Sequence, residues 1–347
     1  MSEARNLHDA PVLSAFAGQG ALYDGLMRTL RDGTYVHAYL ISGMKGIGKR
    51  SLARAIAQHL MCTDERKPCG HCPGCIQVIE GSHPDVITVT PGKPLSPDVK
   101  AGLQGIPVDE IRHVISLAGQ HTFVGGCRVI IIEHAEKMNQ PAQNALLKTL
   151  EEPIAGTVFM LLTDAPETLL PTIISRCRAL KLHPWPDDVV LSALAKHGVP
   201  KDMAQRALGV CGGSIGTAIA VAADEEFWKR RADVMKDFFD IEGRSEILRV
   251  SGAWRERKDE AESLLNDIED MIRSLMLVRI GRSDASMISE YPEPWRKMAE
   301  SAGLKAFIDL MDAVSEARRL RSSQVTWQAV VEKLLLRMME ERSKWSR

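Results

Sequence analysis

Two short stretches of this chain carry residue types at spacings that do chemistry. The first, 43-GMKGIGKRS-51, is close to the phosphate-binding pattern G-x-x-x-x-G-K-[ST]: Gly43, Gly48 and Lys49 fall in register, with Gly46 between them. In such a loop the glycines let backbone N–H groups turn inward around phosphates, and the lysine neutralises the terminal ones. The next position should hold the hydroxyl that ligates Mg²⁺. Here it is Arg50, whose guanidinium has donors and no acceptor. Ser51 does not repair the loss, because one residue along a helix turns a side chain by about 100°. The second stretch, 62-CTDERKPCGHCPGC-75, spaces Cys62, Cys69, Cys72 and Cys75 as C-x₆-C-x₂-C-x₂-C. Four thiolates suit tetrahedral Zn²⁺, and the two-residue spacings let consecutive ligands fold back on one ion. Pro68, Gly70, Pro73 and Gly74 supply the turns. His71 competes as a ligand, but sits inside the Cys69–Cys72 loop. A pair of disulfides is the other reading; the odd total of seven cysteines and their clustering favour a metal in a reducing compartment.

A phosphate site needs a second half, an apolar strand ending in acids that hold the metal and polarise water. In 129-VIIIEHAEKM-138 the strand ends in Glu133 followed by His134, where an active enzyme offers Asp then Glu. Glu133 can reach Mg²⁺ through water, and His134 is a weaker base. Both departures fall at the metal. The loop therefore raises ATP with Mg²⁺ as a ligand, while its chemistry predicts impaired hydrolysis.

The elements that would position these residues alternate in the first half. Strands are predicted at 38-AYLIS-42, 85-DVITVT-90, 128-RVIIIE-133 and 157-TVFMLLT-163, with helical patterns near 49–60, 108–119, 140–150 and 169–175. The last two strands are almost wholly apolar, as strands covered on both faces are. That is an α/β core with a parallel sheet and flanking helices, predicted over 1–185 with the cysteine module inserted at 62–75. After 183-HPWP-186 only helical periodicity remains, broken at 197-HGVP-200, 211-CGGS-214 and 291-YPEP-294. The Gly212–Gly213 pair and Trp228 predict a small helical domain over 186–222, and an all-α domain follows over 223–347. Amphipathic runs such as 261-AESLLNDIEDMIRSLMLV-278 read as a helix bundle, and 317-ARRLR-321 as a solvated face.

Of 347 residues 45% are apolar, and the net charge is −1, which argues against a protein that coats nucleic acid by bulk electrostatics. No run approaches the roughly 18–20 apolar residues that span a bilayer. The N-terminal run 11-PVLSAFAGQGAL-22 follows acidic residues and is broken by Gly18 and Gln19, so it is not read as a signal core. The expectation is a cytoplasmic protein without a membrane partner. Cys127, Cys177 and Cys211 read as small buried apolar residues.

The segment 139-NQPAQNALLKTLEEP-153, followed by 157-TVFMLLTDAPETLLPTIISRC-177, resembles the AAA+ subunits of bacterial sliding-clamp loaders. The stretches 106-IPVDEIRHV-114 and 83-HPDVITV-89 narrow the resemblance to the delta-prime type of DNA polymerase III. It covers about residues 12–220; the C-terminal third matches by helical character and by 317-ARRLRSSQVTWQAVVEKLLLRMM-339. The resemblance implies an AAA+ core, a helical lid and a collar domain that joins a pentamer. It makes Arg176, within Ser175-Arg176-Cys177, an arginine finger reaching a neighbour's ATP site. Thr163 would be a nucleotide sensor. Gly216 stands where active relatives carry a second-sensor arginine, a third erosion of the chain's own site. The zinc module would be structural. Implied partners are a gamma/tau motor and delta, with the sliding clamp and primed DNA reached through the complex. The chain would then be a component of the polymerase holoenzyme, a stator with absent or weak ATPase activity of its own. Two other readings compete. A gamma/tau-like ATPase is opposed by Arg50, His134, Gly216 and a length that leaves out a polymerase-binding extension. A stand-alone zinc-dependent nucleic-acid-binding protein is opposed by the neutral charge.

Overall fold

The computed structural model describes residues 13–345 other than 125, 240, 242, 282–290, 292, 322 and 324. Pro11 and Pro292, which punctuate the sequence patterns above, lie outside the described residues. The apolar runs fold as strands β1 (Ala38–Ser42), β2 (Val86–Val89), β3 (Arg128–Ile132) and β4 (Thr157–Thr163). β1, β3 and β4 are buried along their whole length, as the continuous Val/Ile/Leu runs require. A fifth strand, β5 (Arg178–Lys181), has no apolar run to announce it. It lies at the sheet edge beside β1, where its alternating exposed residues meet solvent. Every pairing is parallel, in the order β2-β3-β4-β1-β5.

The helices of this region are α1 (Ala21–Arg31), α2 (Lys49–Met61), α3 (Pro73–Glu80), α4 (Val108–Ala118), α5 (Gln140–Glu151) and the single turn α6 (Pro171–Ile174). α2, α4 and α5 stand where periodicity puts them; α6 is shorter than its pattern because Ser175 already begins the turn into β5. α5 starts sharply: the Asn139 side chain accepts the Ala142 N–H at 2.9 Å, and a proline occupies the first turn. Because all strands run one way, the loops after β1, β3 and β4 emerge together at their carboxyl ends. Ligands of open α/β sheets bind at that edge.

One buried ion pair holds the start of β3. Asp85 and Arg128 meet at 3.1 Å with almost no exposure on either side chain. Asp85 also accepts the N–H groups of Phe123 and Val124 at 2.9 Å each, and Arg128 donates to the carbonyls of Leu117, Gln120 and His121. Burial opposes the Asp85 charge, but these N–H donors and Arg128 outweigh it and hold the carboxyl below its usual range. A depressed carboxylate contributes stability above its unfolded value of about 3.9, and loses it as pH falls through the folded value. Arg128→Ala should therefore cost about 3–5 kcal/mol in denaturant unfolding, because it strands a buried charge. It should also move the acid unfolding midpoint to higher pH.

Contacts divide the chain into two compact units, Met1–Pro186 with Ser214–Gly216, and Asp187–Gly213 with Thr217–Arg347. Among the described residues the second contains helices and no strand: α7 (Asp187–Lys196), α8 (Lys201–Cys211), most of α9 (Ile215–Ala222), α10 (Glu225–Phe239), α11 (Arg244–Arg255), α12 (Ala261–Arg279), and helices Glu293–Ser301, Leu304–Arg321 and Trp327–Trp345. Its larger core centres on Trp254, Leu264, Ile268, Phe307 and Val331. The Trp327 ring N–H donates to the Trp254 carbonyl at 2.9 Å, so the indole is buried without stranding its donor. Arg318 and Arg321 of the basic run pair with Glu262 and Glu269 on α12.

Candidate functional site

The glycine-rich loop follows β1 and opens α2, with Gly43, Gly46 and Gly48 all at positive φ, a region that a side chain would strain. Every carbonyl from Gly43 to Gly48 accepts a hydrogen bond from the protein. Lys49 Nζ donates to Gly43 and Met44 at 2.7 and 2.9 Å, and Ser214 Oγ donates to Lys45 at 2.8 Å. Gly216 N–H donates to Gly46 at 2.9 Å, Trp185 Nε1 to Ile47 at 3.0 Å and Leu52 N–H to Gly48 at 2.8 Å. With its acceptors turned away, the loop is left presenting donors.

Beside it lies a cavity of about 370 Å³, lined by Lys45, Gly46, Gly48, Lys49, Arg50, Ser51, Thr90, Glu133, His134, Leu162 and Asp164. The fold thus gathers Gly46, Gly48, Lys49 and Glu133 at one place. Lys49 is an ion-pair partner of Asp164 as well as a donor to two loop carbonyls, which occupies all three ammonium donors. Arg50 clamps Glu133 side-on, Nε and Nη2 each reaching one carboxylate oxygen. Thr90 Oγ1 adds a third donor to Glu133 at 3.0 Å. Burial would raise the Glu133 carboxyl, but Arg50 and Thr90 outweigh it and hold it below the usual range; the same hydrogen bond raises Arg50. The acid that would face a metal therefore faces a guanidinium rooted at the missing hydroxyl position.

Thr163 is buried and does not line the cavity; its hydroxyl accepts the Ala165 N–H at 3.1 Å, while the next residue, Asp164, is among the lining residues. Asp164 was legible by the same rule as Glu133, an acid directly after an apolar strand. Thr90 gave only the weak signal of a hydroxyl at a strand end. His134 adopts φ 53°, unusual for a residue with a side chain, and its Nδ1 lies 3.0 Å from Glu136.

Gly216 is held by close approach rather than by φ: a Cβ there would meet the Gly46 carbonyl oxygen at 2.7 Å and its Cα at 3.0 Å. Both neighbours are backbone, so the loop itself must move to admit any side chain. Gly216→Ala should cost about 1–3 kcal/mol, as overpacking does. Thermal unfolding would register this as a fall of roughly 2–4 °C per kcal/mol for a unit of this size.

The four cysteines come together from the end of α2, the loop after it and the start of α3. Their sulfurs lie within 4.8 Å of one another, and the Cys62–Cys72 and Cys69–Cys75 separations are both 3.9 Å. Zinc–sulfur bonds of about 2.3 Å in a tetrahedron put sulfurs about 3.8 Å apart, so the donor set fits such an ion. Backbone N–H groups of Cys69, Cys72 and Cys75 point at the sulfurs of Cys62, Cys69 and Cys72, at 3.3–3.5 Å. Burial opposes ionisation at Cys72, yet the N–H donors prevail and lower it to about 6. His71 points outward, largely exposed. Gly74 permits the turn, since a Cβ there would strike the Met61 carbonyl at 2.4 Å. Cys127 and Cys177 lie apart, pushed up to about 11 by burial, as inert thiols are.

Arg176 is not part of the cavity. It follows α6 on the surface, paired with Glu151 at 2.7 Å and donating to the Thr172 carbonyl at 3.0 Å. Ser175 Oγ also donates to the Thr172 carbonyl, at 3.1 Å.

A five-stranded parallel sheet with a phosphate-type loop after β1, an acid after β3 and helices flanking it defines an α/β core of the nucleotide-binding type. A family model described as DNA polymerase III, delta subunit, matches residues 18–186. DNA polymerase III subunit delta' of Escherichia coli is 35% identical over 212 residues, 60% of this chain and 61% of that protein. The Bacillus subtilis delta' subunit is 28% identical over 310 residues, 88% of this chain and 91% of its own length. The chain is thus similar to delta' subunits of DNA polymerase III, most strongly over its first half. The tau/gamma subunit of Haemophilus influenzae is 33% identical over 46% of this chain, and the match spans 22% of that subunit. Among solved structures, a gamma subunit-related protein of Thermotoga maritima superposes with a TM-score of 0.45 at 16% identity, over 92% of this chain and 99% of its own.

Proposed function

We propose that the chain is a stator of the replicative clamp loader, one that holds neighbouring subunits in place and does not itself hydrolyse ATP. The observation that carries the reading is the Arg50–Glu133 clamp at the position where a working site holds Mg²⁺. A cation fixed by covalent attachment does not exchange, and both Glu133 oxygens are already engaged by Arg50, with Thr90 on one of them. Lys49 occupied by Asp164, and Gly216 packed on Gly46, support the same conclusion.

The partners are a gamma/tau motor and delta, with the sliding clamp and primed DNA engaged through the complex, in the cytoplasm. Among the described residues no helix is long and apolar enough to cross a membrane. Within the assembly Arg176 acts as an arginine finger on a neighbour's ATP, with Ser175 and Cys177 shaping its turn. Cys62, Cys69, Cys72 and Cys75 hold a structural Zn²⁺, which has no open coordination position and takes no part in chemistry. Residues 1–185 form the core, 186–222 a lid and 223–347 a collar that joins the subunits.

The purified chain, incubated with ATP and Mg²⁺, should show no turnover above background, and Lys49→Ala should change nothing. Mg²⁺-dependent turnover that disappears in Lys49→Ala would establish a gamma/tau-like motor instead.

A further inference from the structure

We infer that the cavity is a metal-independent diphosphate site in which Arg50, aimed by Glu133, takes the part that Mg²⁺ plays in an active phosphate loop. The inference rests on the stator reading, in which nothing is hydrolysed there.

The loop has turned all six of its carbonyls into the protein, so the groups it can offer a ligand are donors. The N–H groups of Lys49, Arg50 and Ser51 begin α2, where no preceding turn accepts them and no side chain caps them. Arg50 spends Nε and Nη2 on Glu133, and its Nη1 has no partner among the described residues. A guanidinium held on one edge by a carboxylate presents its other edge in a fixed plane, the geometry that reads a phosphate in two bonds.

Charge decides the metal question. Lys45, Lys49 and Arg50 line the cavity against two carboxylates, Glu133 and Asp164, which leaves one net positive charge, and the α2 dipole adds to it. Were position 50 a hydroxyl, the same lining would balance to zero and a polyphosphate would need a divalent ion. With arginine there, the anion meets a cationic wall without one, and Mg²⁺ meets a guanidinium on the carboxylate it would use. The volume of about 370 Å³ admits a diphosphate, free or carried by a nucleoside.

The test is calorimetric titration of the full chain with inorganic pyrophosphate and, separately, ADP, in EDTA and at matched ionic strength. Binding in EDTA is expected for both. ADP binding at least tenfold tighter than pyrophosphate would assign the site to a nucleotide, and equal affinities would assign it to the diphosphate alone. The double variant Arg50→Gln/Glu133→Gln removes the guanidinium without stranding its buried partner, and should weaken binding at least tenfold. Arg50→Thr should make ADP binding depend on Mg²⁺. No heat in EDTA, binding only with Mg²⁺, or binding indifferent to the double variant overturns the inference. None of these touches the stator reading, which fails on ATP turnover.

Discussion

Arg176→Ala, in a complex reconstituted with a gamma/tau motor, is expected to lower ATP turnover about 10³-fold at the one site this chain faces, the low end of what an arginine finger supplies. The variant should fold normally. Arg176 and Glu151 are both partly exposed, and a surface pair of this kind is worth ~1 kcal/mol or less. Unfolding of the isolated chain should hardly change, so the loss of turnover cannot be laid to a damaged subunit. Glu151 keeps the guanidinium at the surface in the free chain, from where exchange onto a phosphate costs little. Arg176→Lys should fail to restore the rate, since a point charge lacks the planar fork. Single-turnover measurement separates the one affected site from the others. Unchanged turnover in Arg176→Ala would make this residue an ordinary surface arginine closing α6.

The second large effect concerns the cysteines. The purified chain should carry one zinc per molecule, released by a chelator together with unfolding of the 62–75 module. Cys75→Ser should abolish binding, because it removes the most buried of the four sulfurs. Structural zinc contributes about 10–16 kcal/mol of apparent binding free energy in peptide-sized modules. Losing it should therefore expose the end of α2 and the start of α3 to proteolysis, well before the sheet unfolds. Cys177→Ser is the control: its sulfur is half-buried, outside the cluster, and zinc content should not move. Full zinc content in Cys75→Ser would exclude the four-thiolate site. Zinc-free chain that resists proteolysis equally well would exclude a structural role.

Much of this was readable from one dimension, for reasons that differ by element. β1, β3 and β4 are fully buried, so their sequences are continuous apolar runs that no surface element would carry. β5 escaped because an edge strand of four residues, two of them charged, owes its pairing to the neighbour β1 rather than to its own pattern. The cysteine spacing and the phosphate-loop glycines are local chemistry: ligands and turns a few residues apart are constrained by chain geometry alone. The loss of the Mg²⁺ hydroxyl at Arg50 was equally plain in the sequence.

What replaced that hydroxyl was not. Arg50 and Glu133 are 83 positions apart, Lys49 and Asp164 are 115 apart, and Gly216 meets Gly46 across 170. No periodicity or motif links such residues; the parallel sheet, which delivers the ends of β1, β3 and β4 to one edge, brings the first two pairs within bonding distance, and the start of α9 brings Gly216 onto Gly46. The sequence by itself determined which groups are present and which are missing from the site. The tertiary structure decided that the missing metal position is filled by a paired guanidinium, since Glu133 is buried and Arg50 is the cation that bonds both of its oxygens.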